Sequence, residues 1–182
     1  MYEGKLVRLR ALREDDAERC TGWLNDLDTA RRVRGGGPMP FSLAGERKWI
    51  EEHAGPMQEE QHFAIETLDG VPIGVCSYHQ VNWQSRRCMV GWFIGDRSAR
   101  NKGYGTDMIR LLLKICFLEL DMHKVSLRVF SYNEEAVRLY ERVGFQREAV
   151  FREKVYAMGK RWDDYEYGML RAEYDALYGG DA

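Results

Sequence analysis

The sequence predicts an α+β protein with a central mixed, mostly antiparallel sheet and helices on both faces, and three observations carry that prediction. Apolar residues recur at every second position in several stretches, as at Cys88, Val90, Trp92 and Ile94, which is the signature of strands with one face inward. Between them lie stretches of helical period, above all residues 105–120, apolar nearly all round and so suited to packing deep against a sheet. The order of elements is strand, two helices, three-strand meander, helix, strand, helix, two strands. A crossover through the long helix makes the strands on either side of it parallel, whereas hairpins make the other neighbours antiparallel.

Residues 5–12 open the chain as a strand with Leu6, Val7, Leu9 and Ala11. Asp15 and Asp16 then favour a helix N-terminus, and Ala17, Cys20, Trp23, Leu24 and Leu27 give that helix one apolar face to about residue 26. A basic, glycine-rich connector follows, with Arg31, Arg32 and Arg34 ahead of Gly35, Gly36, Gly37 and Pro38. Ser42, with Glu46 nearby, predicts the N-cap of a second helix reaching about residue 53. Strands at 63–67 and 72–81 flank the hairpin signal Asp69-Gly70, and a turn at 82–85 leads to a long strand over 87–95. Beyond the long helix come a strand at 124–130, a helix capped by Asn133 and stopped at Gly144, two strands at 145–156 and 162–170 joined across Met158-Gly159-Lys160-Arg161, and a short polar helix.

The bulk properties narrow the function classes. A chain of 182 residues, 45% of them hydrophobic, suits one domain over residues 1–182 with enough core to support a ligand cleft. A net charge of -2 supplies no global basic field, which argues against nucleic acid or an anionic membrane as partners. No 18-residue apolar run and no basic start followed by an apolar stretch is present, so the expected location is the cytoplasm. Cys20, Cys76, Cys88 and Cys116 form no Cys-x-x-Cys pair, which predicts buried, reduced thiols and no metal.

One loop carries a chemical signal. Arg100, Asn101, Lys102, Gly103, Tyr104, Gly105 and Thr106 lie between a strand and the long helix, where the unsatisfied amides of a helix start can cradle an anion. Glycine at 103 and 105 lets backbone approach oxygens closely, and Arg100 and Lys102 add charge-assisted donors, so a diphosphate would fit. Alone, such a turn is equally a plain strand-to-helix connection. No third glycine stands at the dinucleotide spacing and no Gly-Lys-Ser/Thr ending is present.

The loop and a second segment together resemble the GNAT superfamily of N-acetyltransferases. Arg100, Gly103 and Gly105 match its (Gln or Arg)-x-x-Gly-x-(Gly or Ala) signature. Asn133, Ala136, Leu139, Tyr140, Gly144 and Phe145 match its Asn-x-x-Ala-x-x-Leu-Tyr-x-x-x-Gly-Phe segment at every fixed position. The opening Leu6-Val7-Arg8-Leu9-Arg10, the strand end Gly91-Trp92-Phe93-Ile94 and the run Gly159-Lys160-Arg161-Trp162-Asp163-Asp164 are similar to the branch with ribosomal-protein alanine and spermidine N-acetyltransferases. The resemblance implies acetyl-CoA as cosubstrate and transfer of its acetyl group to a primary amine of a small molecule or protein N-terminus. It further implies that the strand ending at Phe93 and Ile94 splays from the strand at 125–130 and holds pantetheine through its amides. Arg100 to Thr106 would hold the pyrophosphate, Asn133 would border the thiol end, and Tyr140 would protonate the departing thiolate. Spacing alone also allows Tyr140 to be a packing residue on the stripe Ala136, Leu139, Tyr140 and Val143.

An amine attacks a thioester as the free base, and an alkyl ammonium with a pKa near about 10.4 must first lose a proton. Many relatives place a glutamate in an Ala-Glu-(aliphatic)-Gly run before the phosphate loop, but here that run is Cys88-Met89-Val90-Gly91, and Met89 accepts no proton. His79, Glu66, Asp163 and Asp164 are the substitutes, and loss of the base makes a non-catalytic acyl-CoA sensor the alternative function. Because the connector between the first two helices walls the acceptor site in this fold, Arg31, Arg32 and Arg34 imply an anionic acceptor, or else a solvated basic loop. Edge strands and aromatic hairpins make a homo-oligomer possible.

Overall fold

A computed structural model describes residues 1–35, 39–57 and 59–179. Eight strands form one sheet in the order β1-β2-β3-β4-β5-β6-β8-β7. They are β1 (Tyr2–Glu3), β2 (Val7–Ala11), β3 (Gln61–Thr67), β4 (Pro72–Asn82), β5 (Arg87–Ile94), β6 (Lys124–Phe130), β7 (Gln146–Ala157) and β8 (Lys160–Leu170). Every neighbouring pair is antiparallel except β5 and β6, which the crossover makes parallel. The predicted mixed sheet is therefore present, with the short edge strand β1 added to it.

The helices are α1 (Asp16–Asn25), α2 (Leu27–Arg34), α3 (Leu43–His53), α4 (Tyr104–Lys114), α5 (Glu134–Val143) and α6 (Arg171–Tyr178). They cover both faces of the sheet. Phe63 and Ile65 of β3 join the larger core with α4, α5 and α6, whereas Ala64 between them joins a smaller core with Ala17 and Cys20 of α1 and Ile50 of α3. In α4, Met108, Ile109, Leu111, Leu112 and Leu113 are buried, and each large aliphatic side chain so placed contributes about 1.5–3 kcal/mol. Its last turn loosens into a π-helical segment, Ile115–Glu119, before the chain enters β6. All four cysteines are buried free thiols. No helix among the described residues is long and apolar enough to cross a membrane.

One segment differs from expectation. The arginines expected on a connector lie on α2, because Asp26 accepts the Thr29 amide at 3.0 Å and so starts a new helix directly after α1. Arg31, Arg32 and Arg34 fill its last turn, where cations complement the helix dipole, and Gly35 closes it in the left-handed region at φ 74. Gly36, Gly37 and Pro38 lie outside the described residues.

Two polar clusters fix the sheet relative to the helices. Arg10 donates to Glu66 at 2.6 Å and, through both terminal nitrogens, to Asp16 at 2.7 and 2.8 Å, and all three residues are buried. Burial alone would raise the Asp16 carboxyl, but Arg10 and the Arg13 amide hold it below the usual range. On the other face, the Asp107 carboxylate at the start of α4 accepts the amides of Lys5, Leu6 and Val7 at 3.1, 2.7 and 3.0 Å. Asp107→Ala leaves those donors without their acceptor and is expected to destabilise by about 2 kcal/mol, a fall of about 4–8 °C in Tm measured by calorimetry.

Candidate active site

The parallel pair β5 and β6 is joined only at Arg87 to Lys124, Cys88 to Val125 and Met89 to Ser126. Beyond Met89 the two strands diverge, opening the sheet with unpaired backbone on both sides. A cleft of about 1050 Å³ occupies the gap. Gly105, Thr106, Leu139 and Tyr140 line it from the α4 and α5 face, and Leu24, Glu46 and Trp49 line it from the α1 and α3 face. The opening thus passes through the sheet, which allows two substrates to meet from opposite sides.

On the first side stands the predicted phosphate loop. Gly103 occupies the N-cap position of α4 at φ 86, a left-handed conformation that glycine adopts without strain, and no side chain caps the helix. The amides of its first turn are therefore available to an anion, with the positive end of the helix dipole behind them. Gly105 matters for space, because a Cβ there would stand 3.0 Å from the Trp92 ring. Arg100, Asn101, Gly103, Gly105, Thr106, Phe93, Ile94 and Asn133 all line the cleft. Lys102 and Tyr104 do not: Lys102 is exposed beside the loop, and Tyr104 packs on the larger core.

Two of these side chains are used differently from the sequence expectation. The Arg100 guanidinium binds Asp28, the Thr29 hydroxyl at 2.9 Å and the Ile94 carbonyl at 3.2 Å, so it ties the loop to α2 and β5 rather than standing free for an anion. Asn133 holds the N-cap position of α5 but its side chain makes no cap bond; its Oδ1 instead accepts from Arg32 at 3.4 Å.

Tyr140 lies between the loop and the larger core, 6% exposed, with its ring edge-on to Trp92 at 6.2 Å and 89°. Burial holds its phenol well above the usual tyrosine range, against a smaller opposite pull from the Trp92 indole. Trp92 Nε1 is itself buried without a hydrogen-bond partner among the described residues. Tyr140 both packs and lines the cleft, so the two readings of its spacing are compatible.

The substitutes for the missing glutamate separate clearly. Glu66 is held by Arg10 and, at 3.7 Å, by Arg8, and does not line the cleft. His79 is the cross-strand partner of Met89, with Nδ1 3.3 Å from the Ser77 hydroxyl; burial lowers its pKa, but it too stays out of the lining. Asp163 accepts the Glu153 amide at 2.9 Å outside the cleft. Asp164 does line it: 3% exposed, it receives Lys154 on Oδ2 at 2.7 Å, while Oδ1 is buried with no partner among the described residues.

Sequence reasoning passed over Glu46, which it read beside the N-cap of α3. The Ser42 side chain caps that helix through the Gly45 amide at 3.1 Å, and Glu46 turns instead into the cleft. It is 3% exposed, no described side chain pairs with it, and burial raises its carboxyl above the usual 4.5. Its negative charge also pushes the neighbouring Cys20 thiol, already raised by burial, up to about 12. A buried carboxyl of raised pKa in a cleft is suited to proton transfer.

The arginine cluster gives no support to an anionic acceptor. Arg32 binds Asp28 at 3.2 Å and Glu135 at 2.8 Å, while Arg34 donates to the Leu24 and Met39 carbonyls and lies over Phe41 at 4.4 Å. Arg32 is thus paired with carboxylates of the chain itself, Arg34 is tied to carbonyls through its two terminal nitrogens while its Nε is buried with no partner among the described residues, and the α1 and α3 side of the cleft carries a carboxyl.

Comparison with known proteins agrees with this geometry. The profile of the acetyltransferase (GNAT) domain family matches residues 7–146. The Bacillus subtilis protein named "Probable N-acetyltransferase YjcK" is 29% identical over 174 residues, covering 91% of this chain and 94% of its own. The spermidine N(1)-acetyltransferase of Vibrio cholerae is 28% identical over 115 residues, covering 63% of this chain and 66% of its own. The crystal structure of the Vibrio cholerae spermidine N-acetyltransferase with CoA and spermine superposes with a TM-score of 0.83 at 24% identity, over 92% of this chain and 97% of that one. With the family profile spanning most of the chain, and the splayed pair and helix start where such a fold requires them, this protein belongs to the GNAT family of acetyltransferases.

Proposed function

We propose that this single domain is an acetyl-CoA-dependent N-acetyltransferase that transfers the acetyl group directly to a primary amine of a small molecule or a protein N-terminus. The observation that carries the reading is the cleft through the sheet, with an uncapped helix start on one face and a buried, unpaired carboxyl on the other. Acetyl-CoA enters along Phe93 and Ile94 with its diphosphate on the amides of residues 103–106, and the amine arrives from the α1 and α3 side. Glu46 takes the first proton from the ammonium, the nitrogen forms its bond to the acetyl carbon as the C–S bond breaks, the Tyr140 phenol gives its proton to the thiolate, and the second proton shed by the nitrogen as it becomes the amide restores the phenol, by way of solvent. Glu46 and the unpaired oxygen of Asp164 favour a cationic acceptor, a chemistry shared by the spermidine used by the Vibrio cholerae relative. A dodecamer of that relative is known, and the exposed Val150, Phe151 and Tyr156 of the edge strand β7 are where we expect a homo-oligomer to form. The cytoplasm, where thiols stay reduced, suits the four free cysteines.

The test is release of free CoA thiol with a panel of polyamines, amino sugars, aminoglycosides, amino acids and alanyl or seryl peptides. Turnover with one amine class supports the reading. CoA binding with no thiol release from any acceptor assigns the chain to acyl-CoA sensing instead. For the cofactor side, Gly105→Val places branched carbons against Trp92 and in the cleft, and is expected to weaken acetyl-CoA binding about 10-fold or more, the loss of roughly 1.4 kcal/mol, by calorimetric titration.

A further inference from the structure

Outside the proposed reaction, three side chains gather where α3 ends and β3 begins. His53 closes α3, and Glu60 and His62 stand at the entry to β3. Glu60 bridges the two rings, with Oε1 3.5 Å from His53 Nε2 and Oε2 3.6 Å from His62 Nε2. All three ligand atoms lie within 4.8 Å of one another. Four-coordinate zinc-class ions bind nitrogen and carboxylate oxygen at about 2.0–2.2 Å, so ligand atoms around such an ion stand about 3.3–3.6 Å apart. The two nitrogen-to-oxygen separations, one to each oxygen of Glu60, already have about that value, and a small turn of the carboxylate and closure of the ring-to-ring distance complete the set.

The rings are also prepared as ligands. His53 Nδ1–H donates to the Trp49 carbonyl at 2.7 Å, which fixes the tautomer and leaves the Nε2 lone pair toward Glu60, the outer bond that metal-binding histidines usually make. Trp49 stacks on His53 at 4.6 Å and meets His62 edge-on at 4.9 Å, holding both rings in orientation. His62 Nε2 is buried and has no hydrogen-bond partner among the described residues, although a carboxylate oxygen faces it. A cation between them would satisfy both atoms.

We infer that His53, Glu60 and His62 form a binding site for a divalent cation of the zinc class. The sequence expectation of no metal rested on cysteine spacing, and this set uses no cysteine. The cation would tie α3 to β3, and because His62 and Trp49 line the cleft it would stiffen the wall on the acceptor side without depending on acetyl transfer.

The test is titration of the tag-free, chelator-treated full chain with Co²⁺, read by visible absorption, with Zn²⁺ displacement. One Co²⁺ per chain with the spectrum of a four-coordinate nitrogen and oxygen site is expected, with affinity at least about 10-fold weaker in His53→Gln and His62→Gln. Circular dichroism of the metal-free variants checks folding, and Glu60→Gln supplies the same test should either ring be needed for the fold. No binding by the native chain, affinity unchanged in the variants, or a thiolate charge-transfer band placing the ion on a cysteine would each overturn the assignment.

Discussion

Glu46→Gln is expected to lower kcat/KM for the amine about 100-fold or more, the range in which positioned acid and base groups contribute. The side chain lines the cleft, is buried, and has no cation beside it among the described residues, so its charge is free to receive an ammonium. The pH profile is the discriminating readout. With the native chain, kcat/KM should fall on the acidic side as the raised Glu46 carboxyl takes up a proton, and on the alkaline side as the ammonium titrates. With Gln the acidic limb set by the carboxyl is replaced by a rise with pH that follows the free amine. Stability should move the other way. Because burial raises this carboxyl above its usual 4.5, its favourable contribution is complete below that value and is lost as pH rises through the folded-state pKa. At pH 7.5 the Gln variant should therefore be at least as stable as the native chain. An unchanged acidic limb in a folded Gln variant would rule out Glu46 as proton acceptor and leave Asp164 as the carboxyl to examine.

Tyr140→Phe is expected to lower kcat about 100-fold, at the lower end of the range for proton donors, with little change in acetyl-CoA affinity. The ring stays in place against Trp92, Phe145 and Tyr167, so the substitution removes the hydroxyl and little packing. Burial keeps the phenol protonated through the assay range, so this variant should lose rate evenly across pH and retain the acidic limb that Glu46→Gln removes. Stopped-flow thiol release with saturating cosubstrate separates the two: a loss in KM alone would make Tyr140 a packing residue.

The glycine turn ahead of α4 and the segment from Asn133 to Phe145 were legible in the sequence because their signals are local. Glycines at 103 and 105 set a backbone conformation and a close approach, and helical spacing fixes which side Tyr140 takes. The same holds for the parallel pair, since a long apolar helix between two strands permits little else. Local signals also misled. Glu46 lies close to Ser42 and reads as part of a helix start; only the packing of α3 over the smaller core turns it inward. Arg32 and Arg34 read as a basic loop because Asp26, which starts a new helix, lies inside what looks like the end of the previous one.

The sequence by itself determined the α+β architecture, the order of the strands and helices other than β1 and α2, the glycine turn ahead of α4 and the family. Those follow from hydrophobic period, turn chemistry and backbone preference, all set within a few residues of each other. Only the tertiary structure decided which charges are free. Arg100, Arg32 and Glu66 are satisfied by Asp28, Glu135 and Arg10, whereas Glu46, Asp164 Oδ1 and His62 Nε2 are left facing the cleft or one another. The reason is physical: a side chain's partner across the fold is chosen by how the helices settle on the sheet, and no spacing along the chain records that choice.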